Sequence, residues 1–370
     1  MTSDEKHIST QNAGQPMIPP FLKSSKQSWR ALSRKAPARA GDLAYQRFST
    51  PLLSERRTDD HAVLVERARR HLRNAEHRML KTCEGWVRTY TFEPLVRASA
   101  SCACPLDDDH SLNHGTDKPG QFRGAEPKTV ILIHGWTSEA SFMSAIAESL
   151  RRAGFRVVLF DMPAHGLSPG THTNIIVCTR VLIDVIDALG PVDYAVSHSM
   201  GGLAALLAAG GDKPYKRACI LDGYVFISTP NDFRDVTREF ADGLGLTPAA
   251  RRHYERHLER VAHQDLSKLS SANYLNMIDR PALMIHSRDD DEIRVTNAEQ
   301  VVAACPKAEF KPVDGVGHRR ILYASDVTRE ATKFLSRLSA AQEPATHVKS
   351  TVNATKTVMP SAGQHVSERL

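Results

Sequence analysis

Between residues 129 and 198, short apolar runs alternate with helix-patterned stretches, and this alternation limits the possible folds more than any other feature. The runs Val130-Ile-Leu-Ile133, Val157-Val-Leu-Phe160 and Val192 to Val196 are too short for helices. They lack the polar alternation of a strand that faces water, so they suit strands buried on both faces of a parallel sheet. Residues 142 to 152 space their apolar side chains helically, and Gly154 fits a stop behind them. Residues 173 to 189 repeat that pattern through Ile176, Val181, Leu182, Val185, Ile186 and Leu189. Strand and helix in regular succession predict a mostly parallel sheet with right-handed crossovers and helices on both faces. Upstream, Trp86 to Phe92 alternates and is expected to start the sheet. Downstream, Ala282 to His286 and Phe310 to Val313 read as its last strands.

The third run leads into Ala195-Val-Ser-His-Ser-Met-Gly-Gly202 and then an Ala/Leu-rich helical stretch. A strand-to-helix turn of this kind exposes a serine hydroxyl, here that of Ser199, and aims the following N–H groups at the same point. Such a turn crowds its neighbours, so the positions two before and two after the serine must be small. They are Ser197 and Gly201. Ser197 departs from the usual Gly-x-Ser-x-Gly. Acyl transfer by serine further requires a base, a group that holds the base in one tautomer, and donors for the oxyanion. The base must be a histidine, which can take and return a proton near neutrality. Of the 17 histidines, His318 has the best setting, beside Gly317 in a tight loop after the run 310–313. His198 reads as a packing residue beside the sheet. The expected oxyanion donors are the backbone amides of Met200, at a helix N-terminus, and Trp136, after the first run. The Trp136 indole is expected to wall the pocket.

Together these segments resemble the α/β-hydrolase family over residues 84 to 338. The corner His134-Gly-Trp136, the turn Asp161-Met-Pro-Ala-His-Gly-Leu-Ser168, the elbow at Ser199, the acidic run after His286 and the loop Asp314-Gly-Val-Gly-His318 occur in that family's order. The resemblance implies an α/β-hydrolase fold with a small helical cap, here residues 229 to 278. Within the cap, 233–244 and 249–261 read as amphipathic helices. It also implies a triad in the order Ser, Asp, His. Asp289, Asp290, Asp291 and Glu292 are consecutive, so the acid is ambiguous. The family's acid falls four residues after the position of His286, which is Asp290, and Asp289 is the alternative.

The flanks read differently. Residues 1 to 50 are rich in Ser, Pro, Gln and basic residues and are expected to lack fixed structure. Residues 51 to 83 form a helical extension, with an amphipathic helix over 61–80 whose basic face carries Arg67, Arg69, Arg70, Arg73 and Arg78. Residues 98 to 126 form a polar insertion, and 339 to 370 a disordered tail. Asp107, Asp108, Asp109, His110 and His114 lie in that insertion and make an unconvincing metal site. Cys102 and Cys104 have no second pair at zinc spacing. No metal and no cofactor are expected. Six scattered cysteines fit a reducing compartment, and a net charge of +6 without aromatic–basic interleaving gives no reason to expect nucleic acid. Residues 1 to 20 hold no apolar core of a signal peptide, and no run reaches membrane-spanning length, so a cytoplasmic protein without membrane insertion is expected. The oligomeric state is not legible.

The expected activity is hydrolysis of a small-molecule carboxylic ester or thioester by Ser199, Asp290 and His318 through an acyl-enzyme. An acyltransferase using the same triad is the nearest alternative. A non-catalytic hydrolase-fold binding protein is the alternative from another class. Serine at position 199 excludes the aspartate-nucleophile dehalogenases and epoxide hydrolases.

Overall fold

The computed structural model describes residues 25–51, 59–95 and 126–342, apart from 213 and 216. The expected polar insertion up to residue 125, its acidic and histidine residues, Cys102 and Cys104 lie outside the described residues, as do positions 1–24 and the tail beyond 342.

The sheet has eight strands: β1 (Glu76–Thr82), β2 (Gly85–Phe92), β3 (Thr129–Ile133), β4 (Arg156–Phe160), β5 (Tyr194–His198), β6 (Gly223–Ile227), β7 (Ala282–Ser287) and β8 (Ala308–Val313). Their spatial order is β1-β2-β4-β3-β5-β6-β7-β8. The pairings β1/β2 and β2/β4 are antiparallel and the others parallel. Alternate side chains of each central strand enter opposite cores, the period-two consequence of the pleat. In β3, Ile131 and Ile133 join one core while Val130 and Leu132 join the other. Helices Ile175–Leu189, Met200–Gly210 and Ser271–Ile278 cover the first face, and Ser144–Arg152 and Ser325–Gln342 the second. Both cores are continuous and apolar, which is why the runs could be recognised. Among the described residues no helix is long and apolar enough to cross a membrane.

The upstream segments correct the sequence expectation twice. The helix expected over 61–80 covers Asp59–Leu72, and residues 76–82 form β1 instead. Helical spacing of Ala75 and Leu80 is outweighed by a hairpin: Gly85, at φ +113°, closes the turn, and Leu80 faces Val87 across the ladder. The sheet therefore starts one strand before the expected Trp86–Phe92.

Residues 25 to 48, expected to lack structure, fold into helices Lys26–Lys35 and Pro37–Phe48. Ser25 caps the first and Pro37 starts the second. The hairpin is held by burial against the cap, whose helices are Phe233–Leu244 and Pro248–Ala262. Trp29 is 1% exposed, and Ala40 and Ala44 are fully buried. Ser33 Oγ accepts from the Thr247 amide at 2.9 Å, and Thr247 Oγ1 donates to the Ser33 carbonyl at 3.1 Å. Gly41 lets the helices meet backbone to backbone: a Cβ there would lie 2.5 Å from His253 Cβ and 2.8 Å from the Ala250 carbonyl oxygen.

That approach decides the sign of a substitution. Replacing a helical glycine by alanine ordinarily stabilises by about 1 kcal/mol. Here the added carbon meets backbone, and overpacking of this kind costs about 1–3 kcal/mol. Gly41→Ala is therefore expected to lower the urea midpoint. A midpoint unchanged or raised would mean that the hairpin does not pack on the cap helix as described.

Candidate active site

Ser199 links β5 to helix Met200–Gly210 with φ 52° and ψ −126°. A non-glycine residue held there costs about 1–3 kcal/mol and persists only if its surroundings enforce it. They do. The Ser199 amide donates to the Ile227 carbonyl at 2.9 Å, and the Gly202 amide donates back to the Ser199 carbonyl at 3.0 Å. A Cβ on Gly201 would sit 2.6 Å from the carbonyl oxygens of both Ile133 and His134. A Cβ on Gly202 would sit 2.2 Å from Thr229 Oγ1. Ser197, the departure from the usual glycine, is fully buried, and its hydroxyl donates to the Val225 carbonyl at 3.3 Å. The small side chain fits because its one polar atom has an acceptor within the sheet.

The loop after β3 passes directly over the serine. A Cβ on Gly135 would lie 2.9 Å from His198 Nδ1 and 3.0 Å from Ser199 Cβ. Two buried histidines shape this loop. His134 Nδ1 donates to the Gly135 carbonyl at 2.8 Å, and its Nε2 accepts from the Met162 amide at 2.9 Å. His165 Nδ1 donates to the Pro163 carbonyl at 2.9 Å, and its Nε2 accepts from the Thr137 amide at 3.2 Å. Each ring thus uses one nitrogen as donor and the other as acceptor, the bonding of a neutral imidazole. Burial pushes both downward in pKa, His165 to about 3. With the Thr137 amide engaged, the amides of Trp136 and Met200 make no hydrogen bond among the described residues, and both residues border the same cavity as Ser199. Asp161 anchors the neighbouring turn, accepting from Tyr90 Oη at 2.9 Å, the Ala140 amide at 2.8 Å and the Leu167 amide at 2.9 Å.

His318 stands in the short turn Gly317–Arg320, entered through Gly317 at φ 58°. Its Nδ1 lies 2.8 Å from Asp290 Oδ2. Asp290 Oδ1 accepts the amides of Glu292 at 3.0 Å and Ile293 at 2.8 Å. His286 Nε2 lies 3.3 Å from Oδ2. Burial alone would raise the Asp290 carboxyl, but hydrogen bonds from His286, His318 and the Ile293 amide outweigh it and hold the group well below the usual carboxylate range. Asp289 points elsewhere. It is exposed, accepts from Ser287 Oγ and from the Gly315 amide at 2.8 Å, and so ties the end of β7 to the loop leading into His318. His198, expected as packing, is buried and also donates from Nε2 to the His318 carbonyl at 2.8 Å. Burial and the adjacent His318 keep it neutral.

Ser199, Met200, Trp136 and His318 line one cavity of about 280 Å³. The Ser199 hydroxyl has no hydrogen-bond partner among the described residues. Val236, Phe240 and Ile293 supply apolar wall, and Glu292 and Arg319 border the cavity as an ion pair at 2.8 and 3.2 Å. Phe48 also lines the cavity, and the sequence reading missed it, having placed it in unstructured chain. The four-residue spacing of Ala40, Ala44 and Phe48 after Pro37 was the available signal. Among the described residues no group of three or more His, Cys, Asp or Glu is placed to hold a metal ion.

The model of the alpha/beta hydrolase family matches residues 130–332. A 2-hydroxy-6-oxononadienedioate/2-hydroxy-6-oxononatrienedioate hydrolase of Paraburkholderia phymatum is 27% identical over 241 residues, 53% of this chain and 82% of that protein. Methylesterase 9 of Arabidopsis thaliana is 32% identical over 87 residues, 22% of this chain and 34% of that one. Among solved structures, a putative lipase from Acinetobacter baumannii AYE gives a TM-score of 0.50 at 18% identity, covering 76% of this chain and 97% of its own. Est1E from Butyrivibrio proteoclasticus gives 0.50 at 16%, covering 72% and 99%. At these identities the structures speak for the fold. With a family model that spans more than half of the chain and a sheet of matching organisation, the protein belongs to the α/β-hydrolase family.

Proposed function

We propose that the protein is a serine hydrolase that cleaves a carboxylic ester or thioester through an acyl-enzyme on Ser199. The observation that carries this reading is the convergence on one cavity of a serine at a strained elbow and a histidine whose far nitrogen lies 2.8 Å from a buried carboxylate. In the first half-reaction His318 Nε2 takes the Ser199 proton as Oγ bonds to the carbonyl carbon. The electron pair moves to the carbonyl oxygen, which accepts from the Trp136 and Met200 amides. Collapse of that intermediate expels the alcohol or thiol, which takes the proton from His318. Water repeats the sequence in the second half and releases the acid. Asp290 stays ionised, keeps the proton on His318 Nδ1 and favours the imidazolium.

The same residues would serve an acyltransferase in which an alcohol or thiol replaces water. The Paraburkholderia relative is named for a dioate, a doubly anionic substrate. This cavity has mainly apolar walls and its Arg319 is already paired with Glu292, which favours a neutral ester.

Labelling with a fluorophosphonate tests the nucleophile. Wild type is expected to be labelled and to hydrolyse p-nitrophenyl butyrate. Ser199→Ala should lose labelling and about 10⁴-fold or more in kcat while it melts like wild type. More than a tenth of the activity remaining would exclude Ser199 as nucleophile.

The acids separate by direction. Asp290→Asn turns an acceptor at His318 into a donor and favours the wrong tautomer, so kcat should fall about 10⁴-fold. Asp289→Asn only weakens a loop tie and should keep most of the rate. Equal losses in the two variants would argue against Asp290 as the orienting group.

The pH dependence has a fixed sign. A protonated imidazole cannot accept the Ser199 proton, so kcat/KM should rise with pH along the acid limb. Asp290 contributes no ionisation to that limb, because its folded-state value lies below its unfolded value of about 3.9. The stability it supplies is present above that unfolded value and is lost only as pH falls through the lower, folded one. An acid limb that persists in an active His318→Gln variant would assign the base elsewhere.

A further inference from the structure

The cavity at Ser199 has a wall that comes from far upstream in the chain. Phe48 is the last residue of helix Pro37–Phe48. Its ring stacks on Trp136 at 6.2 Å and meets Phe240 edge-on at 5.0 Å. Phe233 at 6.0 Å and Tyr254 at 5.8 Å back it from behind. The helix that carries it is fixed at both ends and along its length. Gly41 meets the backbone of the cap helix Pro248–Ala262, Tyr45 stacks on His257 at 3.8 Å, and the Ser49 carbonyl accepts the Thr173 amide at 2.8 Å. A ring held by so many neighbours does not swing aside at little cost, because packed interiors resist displacement.

We infer that Phe48 is a specificity-determining residue: its ring closes the apolar end of the cavity and limits the substrate to esters of short acyl chains. The inference rests on Ser199 being the nucleophile of an ester hydrolase. Phe48, Trp136 and Phe240 form one aromatic wall, and Val236 and Ile293 add aliphatic surface, so the group they accept is apolar. The cavity of about 280 Å³ is shared by the reacting carbonyl, the acyl chain and the leaving group, so the place of the Phe48 ring bears on how far the chain extends. A longer chain would have to displace the ring, and a shorter one would leave the wall uncovered.

The test compares kcat/KM for p-nitrophenyl butyrate and octanoate in the full chain. Each methylene that gains a buried place is worth about fourfold. Phe48→Ala is expected to raise the octanoate-to-butyrate ratio at least about tenfold, and Phe48→Leu to raise it by less. Phe48→Trp should lower it. Melting and fluorophosphonate labelling establish that each variant is folded and carries a competent Ser199. Phe48→Leu keeps the test decisive if the alanine variant fails to fold. A ratio within about twofold of wild type in folded, labelled Phe48→Ala or Phe48→Leu would overturn the inference while leaving the nucleophile intact. A shift seen only when the alcohol is lengthened and the acyl group kept would also overturn it, since the ring would then border the leaving group. Calorimetric binding of butyrate and octanoate to Ser199→Ala, with and without Phe48→Ala, reads the same contrast without turnover. It therefore separates a failed pocket wall from a failed nucleophile.

Discussion

The close contact between Gly201 and the carbonyl oxygens that end β3 is the constraint on which the rest of this site depends. At 2.6 Å from where a Cβ would lie, those oxygens leave room for glycine alone. The contact draws the start of helix Met200–Gly210 against the loop 134–137 and leaves Ser199 no relaxed backbone conformation. In return, Met200 at the helix start and Trp136 in the loop border the same cavity as Ser199. The strain at Ser199 and the placement of Met200 and Trp136 beside it thus follow from one contact.

Burial acts in opposite directions on the groups around this turn. His134, His165 and His198 each sit where water is excluded, with one donor and one acceptor contact or a single carbonyl partner, and all are driven neutral. Neutral rings can accept from backbone amides, which is how His134 and His165 shape the loop. Asp290 is just as dry but is surrounded by donors, so burial loses to hydrogen bonding and the carboxylate persists. A charge kept in a dry place by fixed donors acts on His318 more strongly than it would in water.

The sequence made legible those parts whose constraints are local. The elbow, the buried parallel strands and the cap helices follow from residues that are neighbours in the chain. Adjacent Asp289 and Asp290 differ in direction rather than in type, so only a turn seen in space separates them: Asp290 faces His318, and Asp289 faces Ser287 and Gly315. The strand at 76–82 was hidden because Ala75 and Leu80 also fit a helical period, and only pairing with β2 decides the matter. The hairpin at 26–48 was hidden for a related reason. Its polar composition resembles unfolded chain, and the helix that buries Ala40 and Ala44 lies some two hundred residues later.

The consequence of that distant pairing reaches the cavity at Ser199. The hairpin meets the cap helix Pro248–Ala262 backbone to backbone, and it places Phe48 beside Val236 and Phe240 of the other cap helix along the cavity at Ser199. The side facing β7 and β8 is closed differently. Glu292 follows Asp290 by two residues, Arg319 directly follows His318, and their paired contacts of 2.8 and 3.2 Å tie the two loops across the cavity border. A single exposed ion pair contributes little to global stability. Its effect here is local, because each partner is joined through one or two peptide bonds to a residue whose orientation matters. The cavity is therefore rigid on its aromatic side by packing and on its polar side by a salt bridge that water can compete for.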